Sequence, residues 1–84
     1  MWKIEFSRKA LKSVKKVRAA NLDRNLRDLL AVLRLNPFEP PYEKLSGNLQ
    51  GYYSRRINIK HRLVYSVDIS EKTIRVISIW SHYE

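Results

Sequence analysis

Three runs decide the fold: Tyr52-Tyr53-Ser54-Arg55-Arg56-Ile57-Asn58-Ile59, Arg62-Leu63-Val64-Tyr65-Ser66-Val67-Asp68 and Thr73-Ile74-Arg75-Val76-Ile77-Ser78-Ile79-Trp80. Aromatic and β-branched side chains dominate all three, and such side chains suit a pleated sheet better than a helix. Asn58-Ile59-Lys60-His61 and Asp68-Ile69-Ser70-Glu71-Lys72 separate them with turn-forming residues. The pattern predicts three strands joined by two hairpins. Just upstream, Leu45 to Gly51 holds both glycines and Asn48, which predicts a loop or tight turn.

Toward the N-terminus the period changes. Trp2, Ile4 and Phe6 alternate with Lys3 and Glu5, the signature of a half-buried strand. Ser7 is placed to cap a helix in which Ala10, Leu11, Val14 and Val17 recur at helical spacing. Asn21 is the expected cap of a second helix, whose apolar stripe is Leu22, Leu26, Leu29, Leu30 and Leu33. That helix must stop by Asn36, because Pro37 disfavours α conformation in the residue before it. Asn36 to Tyr42, with Pro37, Pro40 and Pro41, reads as a stiff extended connection leading to a loop that carries Glu43. The expected fold is one α+β domain over residues 1–84, ordered β-α-α-β-β-β. Both helices are apolar on one stripe only, so they are expected on one face of a mostly antiparallel four-stranded sheet.

The composition narrows the function. Seventeen Lys and Arg face eight acids, giving a formal net charge of +9 on 84 residues. Such an excess calls for a polyanionic partner: nucleic acid, an acidic protein segment or anionic lipid. With no cysteine, disulfides, thiolate metal sites and cysteine nucleophiles are excluded. His61 and His82 are the only histidines, so neither a metal centre nor a cofactor is expected. No apolar run reaches the roughly 18–20 residues of a membrane helix, and the first residues lack the apolar core of a secretory signal. A cytoplasmic protein with no membrane partner is the expectation.

Several features could carry chemistry. The first helix holds Arg8, Lys9, Lys12, Lys15, Lys16 and Arg18 with no acid, so like charges repel at i,i+3 and i,i+4 spacing. A solvated helix face is one reading; a surface for RNA phosphates or an acidic protein segment is the other. In the strand from Tyr52, alternation sends Tyr53, Arg55 and Ile57 to one face and Tyr52, Ser54 and Arg56 to the other. Tyrosines beside arginines suit RNA, since bases stack on rings and guanidinium groups pair with phosphates, but a tyrosine here can equally belong to the core. Arg62 opens an apolar strand, where a fixed guanidinium could clamp a pentacoordinate phosphorane. His61 reads as structural or exposed. At the end, Ser81-His82-Tyr83-Glu84 carries an imidazole suited to proton transfer near neutral pH. RNA cleavage without a metal needs a base, a cation and an acid at one phosphate. Glu43, Arg62 or Arg56, and His82 form such an inventory, although spacing alone does not bring them together.

Asn36-Pro37-Phe38-Glu39, Glu43 through Ile57, His61-Arg62-Leu63-Val64-Tyr65 and Ser81-His82-Tyr83 together resemble the Txe/YoeB toxins of the RelE superfamily. The resemblance implies a RelE-like type II toxin that enters the ribosomal A site and cleaves mRNA. It assigns Glu43 as general base, Arg62 as the arginine stabilising the phosphorane, His82 as general acid and Tyr83 as a residue orienting the substrate. Arg55 and Arg56 are expected to contact phosphate or 16S rRNA, with Lys44, Ser46 and Tyr53 also facing RNA. Some members of that family carry a lysine where this chain has Ser46, so a phosphate contact is either missing or supplied by Lys44. Glu84 adds a carboxylate that could keep His82 protonated. The implied partners are the ribosome, mRNA and an antitoxin of the YefM/Phd type with an acidic C-terminal segment; homodimers also occur in that family. The alternatives are a ParE-like toxin directed at DNA gyrase, which would not need the Glu43, Arg62, His82 and Tyr83 set, and a non-catalytic basic nucleic-acid-binding module.

Overall fold

The computed structural model describes residues 1–81. In chain order the elements are β1 (Lys3–Phe6), α1 (Arg8–Ala19), α2 (Asp23–Leu35), β2 (Glu43–Lys44), β3 (Tyr53–Arg56), β4 (His61–Asp68) and β5 (Thr73–Ser81), with a short 3-10 turn at Gly47–Leu49. They form a single sheet in the order β1-β5-β4-β3-β2. The three hairpin-linked strands pair antiparallel as expected, and β1 pairs parallel with β5. The expected four strands become five. Glu43 and Lys44 lie on a two-residue strand paired with Ser54 and Tyr53, where a loop was expected.

Ser7 ties the first helix to the last strand. Its Oγ accepts from Ala10 N at 3.0 Å, capping α1, and donates to the Ile77 carbonyl at 2.6 Å. Its own N–H reaches the Val76 carbonyl at 2.9 Å. These contacts fall where the β4–β5 register slips, Val64 facing Ser78 and Tyr65 facing Val76, so that Ile77 is the extra residue of a bulge. The bulge advances β5 by one residue. Ile74 and Val76 therefore share the core face with Ile79 although strict alternation would separate them.

At the other end of α1 the expected role of Asn21 is corrected. Asn21 adopts φ 60, and Leu22 occupies the cap of α2 without a side-chain hydrogen bond. Asn21 N donates to the Arg18 carbonyl and Leu22 N to the Val17 carbonyl, the paired bonds of a Schellman ending. Val17 and Leu22 meet in the core beneath it. Asparagine tolerates the left-handed region better than most residues, so it terminates α1 rather than starting α2.

Both helices bury their stripes on one face of the sheet. Ala10, Val17, Leu26, Leu29 and Leu33 pack with Leu63, Tyr65, Ile74, Val76 and Ile79. Leu11, expected on the stripe, is largely exposed, whereas all six basic residues of α1 point to solvent as its amphipathic pattern requires. The opposite sheet face, free of helices, presents Ser54, Arg56, Arg62, Val64 and Ser66 by strand alternation.

Candidate active site

The segment leading to Glu43 is fixed by aromatic packing. The buried Tyr65 hydroxyl donates to the Pro37 carbonyl at 2.8 Å. Burial pushes its phenol up to about 12. The Tyr53 ring lies 5.7 Å from that of Tyr65, and Phe38 and Tyr42 close on Tyr53 edge-on at 5.4 and 5.8 Å. Arg55 donates to the Glu39 carbonyl at 2.6 Å, and Asn36 Oδ1 accepts from Phe38 N at 3.0 Å. Residues 36–42 are thereby held against the sheet, and Glu43 enters β2 in a defined register.

That register places Glu43 opposite Ser54 on β3, while Arg62 on β4 lies opposite Arg56. Arg62 Nη1 lies 2.5 Å from Glu43 Oε1 and donates to Ser54 Oγ at 2.8 Å. The Ser54 side chain is buried at 1% exposure, Arg62 retains 27% and Glu43 63%. An ion pair with so exposed a carboxylate is worth at most about 1 kcal/mol. It is therefore easily opened by a competing anion. Two arginines directly opposite each other on neighbouring strands repel, and an anion between them relieves that cost. Beside the pair, Pro41, Tyr42, Glu43, Ser54, Arg55 and Arg56 line a pocket of about 310 Å³.

The structure thus brings Glu43 and Arg62 together, with Arg56 beside them and Ser54 as a contact that the residue types did not announce. The other expected RNA-facing residues are dispersed. Tyr53 belongs to the aromatic cluster on the helix-covered face, and Arg55 alternates to that side with its guanidinium on Glu39. Lys44 is exposed on the alternate side of β2 from Glu43, and Ser46 is exposed before the 3-10 turn. His61 is half-buried, its Nδ1 3.2 Å from Asn58 Oδ1 in the hairpin, in keeping with a structural role. His82, Tyr83 and Glu84 lie outside the described residues. β5 is described as far as Ser81, which pairs with His61, and Trp80 pairs with Arg62. Among the described residues no cluster of His, Asp and Glu is arranged to hold a metal, and no helix is long and apolar enough to cross a membrane.

The two-helix, one-sheet α+β fold matches that of solved RelE/YoeB-like toxins. The Agrobacterium tumefaciens YoeB/ParE toxin superposes with a TM-score of 0.84 at 29% identity, over 96% of this chain and 99% of that one. A chain of the heterotetrameric YoeB–YefM toxin–antitoxin complex from Staphylococcus aureus does so with a TM-score of 0.80 at 38% identity, over 99% of each. Toxin YoeB of Synechocystis sp. is 41% identical over 58 residues, 67% of this chain and 65% of that relative's length. The family model for YoeB-like toxins of bacterial type II toxin–antitoxin systems matches residues 6–83. The chain belongs to this family of YoeB-like toxins.

Proposed function

We propose that this toxin is a metal-independent endoribonuclease that cuts mRNA in the ribosomal A site and so stops translation. The observation that carries the reading is the contact between Glu43 and Arg62, two residues of the right chemistry joined across three strands on the open face. In this mechanism the scissile phosphate takes the Arg62 guanidinium from Glu43. The freed carboxylate accepts the ribose 2′-OH proton, and the 2′-oxygen attacks phosphorus while Arg62 holds the charge of the phosphorane. His82 protonates the departing 5′-oxygen and Tyr83 orients the substrate, roles assigned by family position. The products are a 2′,3′-cyclic phosphate and a 5′-hydroxyl. Arg56, exposed beside the pair, contacts a neighbouring phosphate or 16S rRNA.

Between bouts of activity, the toxin is held by an antitoxin of the YefM type, the partner named in the Staphylococcus aureus complex. An acidic, disordered segment complements the +9 charge of this chain and would fold upon it. The test is primer extension on mRNA from translating extracts containing the wild type, Glu43→Ala, Arg62→Ala or His82→Gln. Codon-positioned cuts by the wild type and their loss in the variants are expected. Cuts that persist in all three variants, or none with the wild type, would overturn the mechanism.

A further inference from the structure

We infer that Ser54 is a positioning residue for Arg62, the fixed anchor that holds the guanidinium while its carboxylate partner is exchanged for substrate. The inference rests on the proposed role of Arg62 as phosphate clamp and deepens it.

Arg62 Nη1 carries two hydrogens, and two oxygens stand in reach of it: Ser54 Oγ at 2.8 Å and Glu43 Oε1 at 2.5 Å. These contacts differ in kind. Glu43 is 63% exposed on a two-residue edge strand, whereas Ser54 is 1% exposed in the middle of the β2–β3–β4 ladder. Glu43 must release the guanidinium to act as a base; Ser54 has no such need. Its neutral hydroxyl holds Nη1 without lowering the positive charge available to a phosphate. Once Glu43 withdraws, the remaining N–H donors of the planar fork can pair with two phosphate oxygens while Nη1 stays on Ser54. Without the hydroxyl, a long side chain flanked by Glu43 and an incoming anion would follow either one. Displacement of a clamp by about 1 Å can cost on the order of 100-fold in rate.

The residue at this place also meets a steric demand. Val64 is its cross-strand partner and is likewise buried, so the place favours a compact side chain, and the hydroxyl of serine or threonine supplies an oxygen acceptor there.

The experiment is single-turnover cleavage of mRNA on programmed ribosomes by the wild type, Ser54→Ala, Ser54→Thr, Arg62→Ala and the Ser54→Ala/Arg62→Ala double variant, with ribosome binding and thermal unfolding followed in parallel. Ser54→Ala should slow the cleavage step about 10- to 100-fold at saturating ribosomes while half-saturation moves less than about threefold. Ser54→Thr should recover most of the rate, and Ser54→Ala should add nothing once Arg62 is gone. Wild-type cleavage by Ser54→Ala alongside an inactive Arg62→Ala overturns the positioning role and leaves the clamp intact; an active Arg62→Ala overturns the clamp itself. Should Ser54→Ala fail to fold, Ser54→Cys of similar volume replaces it: slow cleavage supports the anchor, and a wild-type rate overturns it.

Discussion

Ser7 Oγ donates to the Ile77 carbonyl at 2.6 Å across seventy positions of the chain, joining the start of α1 to the bulge of β5. One hydroxyl thus completes a helix cap and satisfies a carbonyl that the bulge removes from the β-ladder. Ser7→Ala should cost about 1–2 kcal/mol, read as a lowered urea midpoint with unchanged m-value. Ser7→Asp can still cap but cannot donate to Ile77, and its carboxylate would face a carbonyl oxygen. It should be no more stable than the alanine variant.

Asn21 separates the two helices through its left-handed backbone. Asn21→Gly should leave the melting temperature within a degree or so, because glycine takes this conformation freely. Asn21→Val should destabilise by about 1–2 kcal/mol, since a β-branched side chain clashes there. Calorimetry of the two variants side by side checks the assignment.

Tyr65 predicts the alkaline limit. Its folded phenol, pushed up to about 12 by burial, keeps its proton when the unfolded one near 10 has lost it. The stability this contributes is complete below pH 10 and is lost as the pH rises from about 10 to 12. A shift of this size corresponds to about 3 kcal/mol at most. Tyr65→Phe should flatten that limb of the stability curve relative to the wild type, at the cost of roughly 1 kcal/mol near neutrality for the lost bond to Pro37.

Asp68 predicts the acid limit in the opposite sense. The Glu71 N–H and Ser70 hydroxyl donate to its carboxylate and hold it below its usual 3.8, with Arg75 adding a smaller contribution. Its stabilisation is present above that value and disappears as the pH falls through the lower, folded one. Asp68→Asn should narrow the difference between urea midpoints at neutral and strongly acidic pH.

Arg55 and Arg56 are neighbours with different duties. Arg56→Ala should weaken RNA binding and reduce the slope of log K against log salt by about one, without changing the melting temperature. Arg55→Ala frees the Glu39 carbonyl and loosens residues 36–42, so its first effect should be a lower melting temperature. Equal salt slopes for the two variants would contradict this division.

Much of the fold was legible because its elements announce themselves locally. The stripes of α1 and α2, the Ser7 cap and the two hairpins follow from side chains a few positions apart. Alternation reveals a strand but not its neighbour, so the parallel pairing of β1 with β5 could not be read. A two-residue strand carries no period, which hid β2 among prolines and glycines. The proposed roles of Glu43 and Arg62 come from residue type and family pattern, whereas their contact depends on two successive registers, β2 on β3 and β3 on β4. Ser54 went unrecognised for the same reason. Alternation put it on the face of Arg56, and only the β3–β4 register adds Arg62 to that face.

The place of β5 in the sheet has a consequence for how the protein is born. Among the described strands it is the last in chain order, yet it lies between β1, the first, and β4. Until Thr73 to Ser81 emerge, β1 lacks its strand partner in the sheet, and α1 lacks its main sheet contact and the carbonyl that Ser7 binds. Long-range closures of this kind come late on a folding path. The N-terminal half thus cannot reach its native pairing until β5 is made, and a truncation upstream of β5 is expected to lack β1's partner and the second bond of Ser7.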